Sequence, residues 1–208
     1  MKKDKLNRYS NLKNPLLIIF LFISLFGFAK KRIYPIEMVA GFSDLIVVGK
    51  ITSITPNSYQ FEISETIKGA PRKYVTVIKF EEWTCDIRFG QYVIGQQLLL
   101  FLIKNGPYYE IVNGSTGEIP IKFNTITFKY ESFDENKFIP YKMSLRDCID
   151  GLLFFSQCFR MTGKYNNFRN DRTFKQICYD TNLTQTNRLN NFKEWLLNKM
   201  RKYEIQKR

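Results

Sequence analysis

From Asp44 to Thr55 apolar side chains occupy both parities of the chain, with Leu45, Val47 and Ile51 on one and Ile46, Val48 and Ile54 on the other. A strand buried on both faces reads this way. Gly49 inside the run predicts a bulge or sharp bend. After the turn signal Pro56-Asn57-Ser58 the pattern changes to strict alternation: Tyr59, Phe61 and Ile63 face one way, and Gln60, Glu62 and Ser64 the other. These two runs form a hairpin. Lys68-Gly69-Ala70-Pro71 interrupts the chain before a third strand, Lys73 to Phe80. A loop holding Trp83 and Cys85 leads to a fourth apolar run, Leu98 to Ile103. Asn105-Gly106, the strongest short hairpin signal, turns that run into Tyr108 to Val112. A further strand near Ile121 to Tyr130 is expected to close the sheet.

Five or six short strands in so few residues, with a bending device inside one of them, suit a small closed barrel better than a flat sandwich. The oligonucleotide- and oligosaccharide-binding (OB) type is the leading architecture.

Beyond residue 140 the period becomes helical. Ser144-Leu145-Arg146-Asp147 reads as an N-terminal cap, followed by Leu145, Ile149, Leu152, Leu153, Ser156 and Phe159 at helical spacing up to Thr162-Gly163. A second helix is expected over about Arg172 to Tyr179. A third starts at Thr184 and turns Leu189, Phe192, Leu196, Met200 and Tyr203 inward. This last helix reads either as an amphipathic surface for an anionic membrane or as a cover packed on the barrel with Trp195 half-buried; packing is the ordinary case. The predicted class is therefore mainly β with C-terminal helices (α+β): a five- to six-stranded barrel over 38–130, and a helical extension over 140–208 packed on it.

Composition changes the picture mainly at the N-terminus. Lys2, Lys3, Lys5, Arg8 and Lys13 precede an apolar run from Leu16 to Ala29, long enough for a signal-peptide core and short for a spanning helix. Gly27 and Ala29 are small residues of the kind a signal peptidase reads, so cleavage after Ala29 and export are expected. Lys30-Lys31-Arg32 keep an uncleaved anchor over 16–29 open as the alternative. The chain carries a formal charge of +13. Removing the five cations and one acid of residues 1–29 leaves 27 basic against 18 acidic residues, or +9. That balance attracts anionic partners in general and equally suits a plain soluble protein. Histidine is absent from all 208 residues, which removes Ser-His and Cys-His nucleophilic pairs, histidine zinc ligands and imidazole bases.

The run Phe42-Ser43-Asp44-Leu45-Ile46-Val47-Val48-Gly49-Lys50-Ile51, then Ile67-Lys68-Gly69, then Cys85 with Gly95 and Leu99-Leu100-Phe101, resembles the exported bacterial members of the netrin and tissue-inhibitor-of-metalloproteinases group. The likeness covers about residues 38–118 and rests on the order of these patches. It implies an OB barrel, export and a binding role without catalysis. Two departures qualify it. The inhibitors of that group chelate the protease zinc through a cysteine at the mature N-terminus, and no cysteine precedes Cys85 here. Gly114-Ser115-Thr116-Gly117 stands where relatives often have a cysteine to pair with one at the Cys85 position, so Cys85 is free or paired elsewhere.

The four cysteines, Cys85, Cys148, Cys158 and Cys178, allow three full pairings in an exported chain. Cys148 with Cys158 is removed, because ten residues on one helix separate them by about 15 Å. Cys158 with Cys178 is the pairing carried forward. No close Cys-x-x-Cys pair supports zinc, and neither metal nor cofactor is expected. Tyr74, Lys79, Phe80, Trp83, Arg88 and Tyr92 interleave cations with rings, as single-strand grooves do; the same spacing is also the ordinary core pattern. Asn113-Gly114-Ser115 and Asn182-Leu183-Thr184 match the glycosylation acceptor pattern, which is common by chance.

The function expected from these features is non-catalytic binding of an envelope protein or polysaccharide. An anionic surface is a further partner class, and the membrane is reached only through the N-terminal segment. Nucleic acid is disfavoured as a partner, yet a nucleic-acid-binding OB protein is the first rival reading. A protease-inhibitor-like module without its zinc-chelating cysteine is another. A hydrolase using only carboxylates, with Asp86, Glu81 and Glu82 as the candidates, is the third.

Overall fold

A computed structural model describes residues 33–82, 84, 86–134, 137–162, 173–178, 191–201, 203 and 205–206. Five strands close a barrel: β1 (Leu45–Ile54), β2 (Ser58–Lys68), β3 (Tyr74–Ile78), β4 (Gln97–Asn105) and β5 (Tyr108–Ile111). They pair in the order β1-β2-β3-β5-β4, and β4 pairs back onto β1, with β3 and β5 parallel and the other pairs antiparallel. This mixed barrel with its helices is an OB-like α+β fold. Closure comes from Leu45 to Lys50 pairing with Leu102 to Gln97. The segment expected to close the sheet, about Ile121 to Tyr130, does not do so. β6 (Glu118–Pro120) continues the track of β5 along β4, whereas β7 (Thr125–Asp134) pairs with β8 (Lys137–Ser144) in a separate hairpin. A one-turn 3-10 segment, Gly114–Thr116, makes the step between β5 and β6.

The double-faced apolarity of β1 and β4 has a direct cause, since each strand separates two cores. Leu45, Val47, Ile51, Leu98, Leu100 and Leu102 fill the barrel interior with Tyr59, Phe61, Val75 and Val77. Ile46, Val48, Leu99 and Phe101 point outward into a second core under the helices and the β7–β8 hairpin. β2 covers the interior only on one side, hence its clean alternation. The predicted bend at Gly49 is present as a register shift between Val48 and Gly49. A Cβ there would lie inside the carbonyl oxygen of Glu62.

Among the described residues three helices build the outer layer: α1 (Ile36–Phe42), α2 (Leu145–Cys158) and α3 (Asn191–Met200). α1 is not legible in the sequence, because seven residues with one acid give too little periodicity. Lys68 Nζ donates to the carbonyls of Ala40 and Gly41 at 2.9 and 3.1 Å, placing a cation on the last turn of α1. α2 starts as expected: Ser144 Oγ accepts from the Asp147 N–H at 3.0 Å. It ends at Cys158 rather than Gly163, and the chain passes straight into strand β9 (Phe159–Thr162). The helix expected over Arg172 to Tyr179 is a strand in its described part. β10 (Thr173–Gln176) pairs antiparallel with β9 and parallel with β11 (Ile205–Gln206). Local helical spacing loses there to the ladder with β9 and to the Cys158–Cys178 disulfide, whose Cα atoms are 4.6 Å apart.

α3 is packed, and Trp195 is buried rather than half-buried. Its ring stacks on Tyr141 at 5.1 Å and on Phe192 at 5.7 Å, and Phe192 stacks on Phe128 at 5.6 Å. Burying each of these rings is worth about 2–3 kcal/mol. Glu37 of α1 closes the layer, accepting from Tyr203 Oη at 2.8 Å and pairing with Lys199 Nζ at 3.4 Å. The inward face of α3 is thus committed to the protein itself.

Candidate functional site

One end of the barrel is plugged by polar side chains. It holds the β1–β2 turn, the end of β3, the long β3–β4 connection and the start of β4. Tyr59 enters from β2 and donates its hydroxyl to Glu118 Oε1 at 3.0 Å. Arg88, on the connection, donates Nε to Glu118 Oε2 at 2.8 Å and a terminal nitrogen to Glu118 Oε1 at 3.2 Å. That terminal nitrogen also reaches Gln96 Oε1 at 2.8 Å, and the other donates to the carbonyl of Gly90. The side chains of Arg88 and Glu118 are both 0% exposed. Burial pushes the Glu118 carboxyl above its ordinary range, with the Arg88 and Tyr59 bonds pulling it back. Burial first, then the neighbouring Glu118 charge, pushes the phenols of Tyr59 and Tyr92 upward.

Of the six residues predicted to form a binding surface, this end gathers four. The Arg88 guanidinium lies 3.7 Å above the Tyr92 ring and 4.3 Å from that of Phe89. Lys79 Nζ lies 4.8 Å from the Tyr92 ring and donates to the carbonyls of Thr55 and Pro56. Phe80 and Tyr92 pack at the margin of the interior core, and Tyr92 meets Tyr59 at 5.4 Å. Tyr74 stands apart at the start of β3, where its hydroxyl donates to Glu62 Oε1 at 3.3 Å. Trp83 and Cys85 lie outside the described residues. The cations and rings that sequence spacing suggested for stacking bases are therefore stacked on one another, and every donor nitrogen of Arg88 has an acceptor within the protein.

Arg88 and Tyr92 act as two pins, and the residues around them face solvent. Ile87, Phe89, Val93 and Ile94 are all exposed, Ile94 by 65% and Val93 by 57%. Four large apolar side chains are thus exposed on one short connection, and none belongs to either core. Ile87 and Phe89 also border a cleft of about 160 Å³ lined mainly by apolar groups, including Ile36, Ile119, Pro120 and Phe128. Ser115 and Thr116 also border it, with their hydroxyls buried and meeting no hydrogen-bond partner among the described residues. The 3-10 turn carrying them is fixed by Asp86, whose Oδ1 accepts from the Ser115 N–H at 3.0 Å. That places Asp86, one of the carboxylates considered for hydrolysis, in a buried structural bond. Glu82 Oε2 accepts from the Arg88 N–H at 3.1 Å.

Sequence reasoning missed Glu118, Tyr59 and Gln96 as members of the plug, and missed the exposed quartet. The signal for the quartet was present: between Ile87 and Gln97 its four members fall outside any alternating run, and the segment has no carboxylate. The acceptor pattern at Asn113 has a structural reading, because its Oδ1 accepts from the Tyr34 N–H at 3.0 Å in a buried position. Asn182 lies outside the described residues. Among the described residues no cluster of metal-ligating side chains occurs and no helix is long and apolar enough to cross a membrane.

The chain matches no family model, no curated protein and no solved structure.

Proposed function

We propose that the chain is an exported, non-catalytic binding protein that engages another molecule of the cell envelope through the plugged end of its barrel. The observation that carries this reading is the β3–β4 connection, pinned from inside by Arg88 and Tyr92 while it holds Ile87, Phe89, Val93 and Ile94 in solvent. An exposed apolar surface on a rigid support is the ordinary form of an interaction site. The adjoining cleft, lined mainly by apolar groups, offers a seat for an apolar group of the partner.

Export is supported by the basic start and apolar run before Ala29, and by the Cys158–Cys178 disulfide, which an oxidising compartment favours. The likeness to the netrin and metalloproteinase-inhibitor group is compatible with the OB-like barrel. Without a cysteine before Cys85, the zinc-chelating wedge of those inhibitors is missing, so the partner is bound by surface contact.

Two measurements test the reading. Intact-mass analysis of the chain recovered from the envelope fraction is expected to show loss of residues 1–29. The parent chain is expected to run in a high-mass fraction after mild extraction, and the triple variant Ile87→Ser, Val93→Ser, Ile94→Ser to leave that fraction with its unfolding midpoint unchanged. Full-length chain in the cytosol, or a variant that stays in the high-mass fraction, contradicts it.

A further inference from the structure

The turn between β6 and β7 holds a phenylalanine ring wholly in solvent, with Phe123 101% exposed. Lys122 and Thr125 exchange both backbone bonds around it, at 3.0 and 2.9 Å. The two central residues, Phe123 and Asn124, both have positive φ, 49° and 55°. Such turns favour Asn or Gly at their centre, because a Cβ is crowded in the left-handed region. Phe123 belongs to neither core. A large ring kept in water at a conformationally costly position has its use outside the monomer.

The chain on either side of this turn builds a cleft of the ring's size. Ile119 and Pro120 before it, and Thr127 and Phe128 after it, line the apolar cleft of about 160 Å³ with Ile87 and Phe89. An apolar cavity of about 150 Å³ holds one benzene ring, so the cleft takes a single phenyl group. The charged side chains on its border are already engaged. Glu118 accepts from Arg88 and Tyr59, and Lys129 has an interaction of its own within the chain. What the cleft offers is therefore apolar contact. Phe123 does not enter the cleft of its own chain, since its ring stands in solvent. Three residues separate it from Pro120, however, which limits the distance between their Cα atoms to about 11 Å. Ring and cleft share one small area of surface.

A ring beside a cleft that fits it is self-complementary about a two-fold axis, where each copy gives its ring and receives the other's. We infer that two copies of this chain associate by reciprocal insertion of Phe123 into the cleft of the second copy. Two rings at about 200 Å² each, with a similar area of cleft wall, bury about 800 Å² in total. Ile87 and Phe89, exposed on the border by 59% and 40%, bring the contact to about 1,000 Å², the low end of specific interfaces. The dimer is accordingly one that forms at raised concentration. This inference goes beyond the proposed envelope role by assigning the cleft to a second copy. Val93 and Ile94, which do not line the cleft, are left to that role.

Sedimentation of the full chain over a wide range of concentration is expected to show monomer passing to dimer. Phe123→Ala removes a ring that packs on nothing in the monomer, and Thr127→Trp obstructs the cleft from an exposed strand position. Each is expected to weaken association at least tenfold, with the circular dichroism of the parent. An equimolar mixture of the two variants is expected to regain part of the association, because the ring of one meets the open cleft of the other. A parent chain that stays monomeric, assembly that grows past the dimer, variants that associate like the parent, or a mixture no better than its components overturns the inference. Should the parent be monomeric yet leave its high-mass fraction when Val93→Ser and Ile94→Ser are introduced, the dimer is wrong and the envelope role stands. A dimer that forms as described while those serines change nothing upholds the inference and removes the envelope role.

Discussion

Arg88 Nε lies 2.8 Å from Glu118 Oε2, and neither side chain reaches solvent. The pair joins the β3–β4 connection to β6 and thereby holds the exposed apolar residues in place. Removing one partner strands a charge in the interior. Arg88→Met or Glu118→Leu alone is expected to lower unfolding free energy by about 3–5 kcal/mol. The double replacement, which removes both charges, is expected to recover most of that loss. Urea unfolding of the two single variants and the double variant checks this, and additive losses contradict the pairing.

Lys68 gives a pH dependence of definite sign. Burial lowers its ammonium to about 8, with Asp44 opposing and Arg160 adding to the shift. Below that value both folded and unfolded chains carry the proton, and the folded state bears the cost of a partly buried charge. Between about 8 and 10.5 the folded chain has released a proton that the unfolded chain still holds. Unfolding free energy is therefore expected to gain a rising contribution across that window. The parent chain is to be compared with Lys68→Met by urea midpoints at pH 7.5 and 9.5. The variant is expected to lack the rise, and identical slopes contradict the assignment.

The Cys158–Cys178 disulfide closes a loop with a sequence separation of 20. Such a constraint is worth about 3 kcal/mol. Peptide mapping without reduction is expected to recover these two cysteines linked. Cys148 is fully buried, and its thiol is pushed well up by that burial, so it is expected to resist alkylation until the chain unfolds. Rapid labelling of Cys148 in the folded protein contradicts the packing of α2.

Gly49 sits where a side chain would overlap the Glu62 carbonyl and press on the Phe61 ring. Gly49→Val is expected to cost at least about 2 kcal/mol through backbone displacement at the bulge. Thermal unfolding measures the loss. A neutral outcome contradicts the close approach of β1 and β2.

The barrel was legible because its signals are short-range and mutually consistent. β1 announced burial on both faces, Leu98 to Ile103 announced an apolar strand, Asn105-Gly106 announced a hairpin, and Gly49 announced a bend; each has its counterpart in the fold. What failed depended on distant partners. Thr173 to Gln176 lies within a segment read as helix, and becomes strand through pairing with β9. Ile121 to Tyr130 was read as a closing strand, but from Thr125 onward it folds onto β8, and the short strand that follows β4 is Glu118–Pro120 just before it. At the candidate site, Arg88 and Tyr92 could be named from sequence, yet their roles could not. Glu118 is 30 residues from Arg88, and nothing local marks an acid that will be wholly buried. The exposed quartet is visible only once the pins beside it are known to point inward.

The central claim is that this end of the barrel is the surface the protein uses. A photo-crosslinking amino acid placed at Ile94 in the full chain, and in parallel at Lys104 near the far end of β4, tests it most directly in intact cells. Mass analysis is expected to find a lipid or protein adduct at position 94 and none at position 104. Adducts equal at both positions, or absent from position 94, contradict it.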